Sequence, residues 1–305
     1  MVAGAPVRPG GLTVLWQSLR PRSLTVAAVS SVTGTAVLVP QRSVQAAVAL
    51  GCLLLALLLQ AATNVLNDAE DALTGADDHA AAGSSLSMRR GWITPAQARR
   101  IAAALFAAAA ALGLGIALAT HRPGLLGLGL VAIAVGWAYT APPLRLAYRP
   151  LGEAASGLPM GLGIVWGTAA AQTSSVPTAA WWAGAALALL TAGILHANNA
   201  RDRAHDTAVG KRTLATRLSE GAVVAEYRGL LGGVPLVLAI GLATRGLPWW
   251  DLLAILPAGL AVRSAWRAHR GLDGMGWTHR LIECVQLHLL TGIALGLGSV
   301  LSGIR

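Results

Sequence analysis

Residues 44–78 read VQAAVALGCLLLALLLQAATNVLNDAEDALTGADD, and the junction between the two halves of this stretch decides the fold. The first half, 44–66, carries no charged side chain and reaches the roughly 20 residues that a helix needs to cross a bilayer. The second half holds Asp68, Glu70, Asp71, Asp77 and Asp78, five of the thirteen carboxylates in the 305-residue chain. Charge is scarce elsewhere: 12% of residues are charged and 55% are hydrophobic, against about 25% charged in an average soluble domain. With a mean hydropathy of +0.61, the chain reads as an integral membrane protein that places a dense acidic cluster at one end of a span.

Working outward, nine segments supply an apolar stretch near the minimum of about 17 residues. They lie at 23–39, 44–66, 99–119, 124–141, 151–171, 177–198, 223–243, 247–263 and 283–302. The eighth is interrupted by Pro248 and Pro257. Ala, Gly and Leu dominate the spans, and small side chains let helices approach closely where lipid removes the hydrophobic drive between them. The expected fold is therefore all-α: a polytopic bundle of nine transmembrane helices forming a single domain, 1–305. The N-terminal stretch lacks a small-residue cleavage site after a short apolar core, so the first span is expected to be retained. Cys52 and Cys284 fall inside apolar spans and suggest neither a disulfide nor a metal site.

The net charge of +10 is distributed as a topology signal. With the N-terminus inside, nineteen Lys and Arg fall in inner loops and four (Arg42, Arg122, Arg245, Arg305) fall outside. That bias places the N-terminus and both acidic motifs at the cytoplasmic face of the cell membrane and the C-terminus outside. No nucleic-acid partner is needed to explain the basic excess.

Residues three and four apart share a helix face. Asn64, Asn67, Asp68 and Asp71 are thus expected to project together from the second span, with Gly75 as the helix stop and Asp77 folding back. Asn198, Asp202 and Asp206 repeat at intervals of four at the end of the sixth span. Long inner connections are expected at 67–98 and 199–222. Two convergent carboxylate arrays repel one another unless they share cations, and Mg2+, bound by a few carboxylates together with substrate phosphates, suits that donor set. Arg22, Arg89, Arg90, Arg145, Arg201, Lys211 and Arg212 stand nearby; Lys211 is the sole lysine of the chain. A diphosphate would use such donors.

NDAEDALTGADD (67–78) and RDRAHDTAVGKRTLATRL (201–218) resemble the two aspartate-rich motifs of the UbiA family of intramembrane prenyltransferases. Three further stretches, LRPRSLTVAAVSSVTGTA (19–36), GSSLSMRRGWITPAQ (83–97) and YTAPPLRLAYRPLGE (139–153), are similar to its 1,4-dihydroxy-2-naphthoate polyprenyltransferase branch. The resemblance implies nine helices round a central cavity. It also implies Mg2+-dependent transfer of a prenyl group from a polyprenyl diphosphate to an aromatic acceptor, in a membrane-lipid setting, for menaquinone biosynthesis.

Carried over, the resemblance implies Asn67, Asp68, Asp71, Asp77, Asp202 and Asp206 as Mg2+ ligands, with Asp71, Asp202 and Asp206 central to catalysis. Asn198, Asn199, Lys211, Arg22 and Arg145 would meet the diphosphate. Many members place the last aspartate of the first motif eight residues after the asparagine; here Gly75 stands there, and Asp77 follows at ten. Tyr139 and Glu153 are expected to orient the acceptor, Tyr139 being equally suited to an interfacial anchor. LGEAASGLPMGLGIVWG (151–167) is richer in Gly and Ala than that branch's aromatic run.

A UbiA-type terpene cyclase or a specialised-metabolite prenyltransferase would use the same motifs with another fate for the cation. A divalent-cation transporter would need acidic groups along a through-pore, whereas the outer half of each span is nearly uncharged. His196, alone on an apolar helix, is expected to be structural. His79, His205, His279 and His288 have no zinc-like spacing.

Overall fold

A computed structural model describes residues 9–75 and 85–304. Among them, seven helices are long and apolar enough to cross a membrane: Leu24–Gln41, Ala46–Thr74, Pro95–Ala119, Gly152–Gln172, Thr178–Arg201, Glu220–Ala243 and Gly274–Gly303. The protein is therefore a multi-pass, all-helical membrane bundle. The remaining two expected positions hold a shorter apolar helix, Gly124–Thr140, and an amphipathic one, Ile255–Arg267, the latter preceded by a 3-10 turn, Trp249–Ala254. In chain order these nine segments are called spans 1 to 9.

Proline explains where the short spans stop. Span 4 begins after Pro123 and ends at Thr140, with Ala141 extended before Pro142 and Pro143, because a residue preceding proline is steered away from helical geometry. Pro248 occupies the N-cap of the 3-10 turn and Pro257 falls in the first turn of span 8, where a missing N–H costs nothing. Pro159, inside span 5, sits in a π-helical turn, Leu158–Gly163, and a wider turn is one way a helix accommodates the lost donor.

Span 6 is the axis of the larger core. Its residues Ala183, Leu187 and Leu190 pack with Val165 of span 5, Leu231 and Val234 of span 7 and Leu295 of span 9. A smaller core joins Val65 and Leu66 of span 2 to Ala102 and Phe106 of span 3. Large apolar side chains such as Leu130, Leu236 and Leu256 are exposed, as a lipid-facing surface requires.

Small residues set the closest approach. A Cβ added to Gly161 would overlap the backbone of Ala188 on span 6, and one at Gly157 would lie 2.7 Å from the Ala188 carbonyl oxygen. Gly161→Leu is accordingly expected to cost about 2 kcal/mol through forced separation of spans 5 and 6. A fall in the thermal unfolding midpoint of the detergent-purified protein checks this.

The first acidic motif keeps the expected helical phase and the expected stop at Gly75, and the second is more helical than its expected loop. Span 2 continues to Thr74, so Asn67, Asp68, Glu70 and Asp71 are presented on a helix rather than in the connection that begins near 67. Gly75 ends it at φ 71°, donating its N–H to the Asp71 carbonyl; a left-handed stop of this kind favours glycine. Span 6 runs on to Arg201, and a short helix, Arg203–Ala208, follows after Asp202.

Candidate active site

A cavity of about 340 Å³ lies between spans 1, 2, 4, 5 and 6. One end is apolar, with Val26, Ala56, Leu59, Val135, Met160 and Ile164 in its wall. The other is polar and gathers Asn67 and Asp71 from span 2, Asn198 and Asn199 from span 6, and Asp202, Asp206 and Lys211 from the segment that follows.

Lys211 joins the two motifs. Its Nζ stands 3.2 Å from Asp71 Oδ1 and 3.7 Å from Asp206 Oδ1. It reaches this place because the chain turns at Gly210, φ 79°, and the Lys211 N–H donates to the Asp206 carbonyl. Asp71 is further fixed by Tyr148, whose hydroxyl donates to Oδ1 at 2.5 Å, and by Asn67, whose Nδ2 donates to Oδ2 at 2.8 Å. Burial and the charge of Asp71 raise the Tyr148 pKa, so this phenol remains a donor. Asp202 receives Arg201 Nε at 2.7 Å and its terminal nitrogen at 2.5 Å.

Burial pushes the Asp206 carboxyl up from 3.8 to about 6; Lys211 opposes that shift, and the negative charges of Asp202 and Asp71 add to it. A raised carboxyl favours the folded state only while protonated. Its stabilisation is complete below 3.8 and lost as pH climbs to about 6. In metal-free protein, wild type is expected to lose thermal stability relative to Asp206→Asn across this window, as unfolding scans at stepped pH would record.

The structure does not bring every expected residue to the cavity. Asp68, only 1% exposed, is turned aside. It pairs with Arg20 and accepts the Ser85 N–H at 3.1 Å, so its oxygens are engaged in the fold. Arg22 is exposed and absent from the cavity wall, whereas Arg20, across Pro21, lines it. Arg145 also lies outside the lining; it faces Glu70 at 3.8 Å and covers the Tyr148 ring. Tyr139 is in the wall, but Glu153 is buried behind it, accepting Asn199 Nδ2 at 3.0 Å. Asp77 lies outside the described residues.

Arg20 and Tyr148 were missed by sequence reasoning. Both stand in stretches singled out there, but in the connections between spans, Arg20 in a turn and Tyr148 at the end of a single 3-10 turn, where no periodicity predicts which side chain turns inward.

The donor set fits a hard divalent ion. Asp71, Asp202 and Asp206 put three carboxylates, and Asn67 an amide, at one cavity end, where their mutual repulsion is only partly relieved by Lys211.

The sequence profile of the UbiA prenyltransferase family matches residues 27–281. The chain is 31% identical over 296 residues to 1,4-dihydroxy-2-naphthoate octaprenyltransferase of Escherichia coli, covering 95% of this chain and 96% of that one. The enzyme of the same name from Mycobacterium tuberculosis is 32% identical over 266 residues, covering 84% and 86%. Among solved structures, a UbiA homologue from Aeropyrum pernix superposes with a TM-score of 0.70 at 20% identity, covering 91% of this chain and 97% of that one. One from Archaeoglobus fulgidus, bound to GPP and Mg2+, gives 0.63 at 16%, covering 92% and 99%. With its two motifs joined across one cavity and the family profile matched over most of its length, the chain belongs to the UbiA prenyltransferase family.

Proposed function

We propose that the protein transfers a polyprenyl group from an allylic diphosphate to 1,4-dihydroxy-2-naphthoate, with Mg2+, at the cytoplasmic face of the membrane. The observation that carries this reading is the Lys211 bridge between Asp71 and Asp206 at the polar end of an otherwise apolar cavity. The acceptor follows from relatives that bear this activity in their names and align along most of the chain. The orientation follows from the basic bias of the loops, with the N-terminus and both motifs inside and the C-terminus outside.

Asn67, Asp71, Asp202 and Asp206 would hold Mg2+, which supplies charge stabilisation for the departing diphosphate. Lys211 and Arg20 add positive charge from the protein side, and their fixed positions mean that little reorganisation accompanies charge development. The allylic C–O bond breaks and its electron pair leaves with the diphosphate. A ring carbon of the acceptor then forms the new C–C bond, and the ring regains aromaticity by shedding its carboxyl group as CO2, which leaves a prenylated naphthoquinol. The apolar wall of Val26, Leu59, Val135 and Ile164 houses the prenyl chain and keeps water from the allylic cation. Tyr139 stands where it can meet an acceptor hydroxyl.

Tyr148→Phe removes the donor that fixes Asp71. A hydrogen bond to a charged group contributes about 1.5–3 kcal/mol; with Asn67 and Lys211 still on Asp71, kcat is expected to fall ~10-fold and the unfolding midpoint to drop modestly, checked by steady-state assay and thermal unfolding. The whole reading is tested by incubating membranes with Mg2+, a prenyl diphosphate series and dihydroxynaphthoate, then identifying products by mass spectrometry. A prenylated naphthoquinol supports it; a cyclic hydrocarbon formed without acceptor, or no acceptor-dependent product, overturns it.

A further inference from the structure

Behind the cavity wall three side chains from three spans converge: Glu153 in the first turn of span 5, His196 in span 6 and Glu226 in span 7. His196 Nδ1 lies 3.6 Å from Glu153 Oε1 and 3.5 Å from Glu226 Oε2, and no two of the three ligand atoms are more than 4.8 Å apart. His196 is fully buried. Its Nδ1, together with one oxygen of each carboxylate, has no hydrogen-bond partner.

The tautomer follows from the other ring nitrogen. Nε2 stands 2.9 Å from the Val223 carbonyl oxygen, which can only accept, so Nε2 carries a hydrogen and donates it. In the neutral ring Nδ1 then presents a lone pair to two carboxylates. Three acceptors facing one another, with His196 fully buried and Glu153 nearly so, repel one another unless a proton or a metal ion stands between them.

We propose that Glu153, His196 and Glu226 bind a divalent metal ion of the zinc class, separate from the Mg2+ site of the aspartate motifs. One nitrogen and two carboxylate ligands suit Zn2+ and disfavour Mg2+, which takes oxygen ligands. At metal–ligand distances of roughly 2.0–2.2 Å, neighbouring ligand atoms stand about 3–3.5 Å apart, close to the two separations from Nδ1. Glu226, whose side chain is 21% exposed, has freedom to close the third side.

The surroundings are those of a ligating set. A metal-bound histidine usually donates its second ring N–H to a backbone carbonyl or carboxylate, and a ligating carboxylate is itself hydrogen-bonded; here Val223 and Asn199 provide these contacts. The Trp277 ring packs edge-on at 6.2 Å from that of His196 and helps to hold the imidazole in place. A bound ion would tie spans 5, 6 and 7 together and hold the Glu153–Asn199 pair, and through it Asn199 in the cavity wall.

The test uses full-length protein purified in detergent, stripped with chelator and reloaded with Zn2+ or Co2+ in excess Mg2+. Metal analysis is expected to give one Zn2+ per chain, and Co2+ to give visible absorption typical of a low-coordinate site with a nitrogen ligand. Both signals should persist in Asp71→Asn and Asp202→Asn and disappear in His196→Gln and Glu226→Gln. Absence of bound Zn2+ and of the Co2+ bands in wild type, as when a proton on Nδ1 bridges the two carboxylates, overturns the proposal. So does their retention in folded His196→Gln. The wild-type measurement decides even if the variants fail to fold.

Discussion

Asp202→Ala is expected to lower turnover of an allylic diphosphate by at least ~10³-fold while the protein still inserts and folds. Asp202 closes span 6 and lines the polar end of the cavity, but it lies outside the packed cores, so its loss removes charge rather than packing. A single preorganised group opposite developing charge is worth about 10²–10³ in rate, and a group that also holds a metal ion forfeits part of several kcal/mol more. Removing Asp202 also takes two hydrogen bonds from Arg201, which keeps its contact with Asn198 Oδ1 at 2.9 Å. Arg201→Ala, which leaves the carboxylate in place, should therefore cost much less. The measurement is diphosphate release and product formation by purified protein with an unchanged unfolding midpoint. Normal turnover by a folded Asp202→Ala variant would remove this aspartate from the site.

Much of this site was legible in the sequence because it is written in helical phase. Asn64, Asn67 and Asp71 reach the cavity as their spacing required, and so do Asn198 and Asp202 at the end of span 6, whereas Asp206 arrives from the short helix that follows the break at Asp202. Phase alone did not settle Asp68. One residue on from Asn67, it sits at the edge of that face, where Arg20 and the backbone of Ser85 hold it away from the cavity. Apolar length located the spans but underestimated spans 2 and 6, since their last turns carry polar side chains while continuing as helix to Thr74 and Arg201. The pairing of His196 with Glu153 and Glu226 was invisible, because it depends on the packing of three separate spans. Arg22 was expected in place of Arg20 for a related reason: the turn at Pro21 interrupts the periodicity that would have distinguished them.

Lys211→Ala should reduce kcat/KM for the prenyl diphosphate by about 10²-fold, the low end of what one oriented donor contributes. The ammonium group stands between carboxylates of two motifs, over the Tyr148 ring at 4.8 Å. A compact point charge suits that position: it offsets two anions at once and can present its remaining hydrogens to diphosphate oxygens. Arginine has the charge but carries it on a planar fork, so Lys211→Arg is expected to recover about a tenth to a half of the activity, within the tenfold range of one charge-assisted hydrogen bond. The alanine variant also leaves Asp71 and Asp206 without their shared cation. Breaking a buried pair from one side destabilises by up to about 3–5 kcal/mol, less here because Lys211 is 16% exposed and Mg2+ can replace it. Metal-free Lys211→Ala should then unfold at a lower temperature than wild type, with Mg2+ closing most of the gap in stability but leaving the catalytic loss intact. If Mg2+ restores both, the lysine acts only as a placeholder for positive charge, and its assignment to the diphosphate fails.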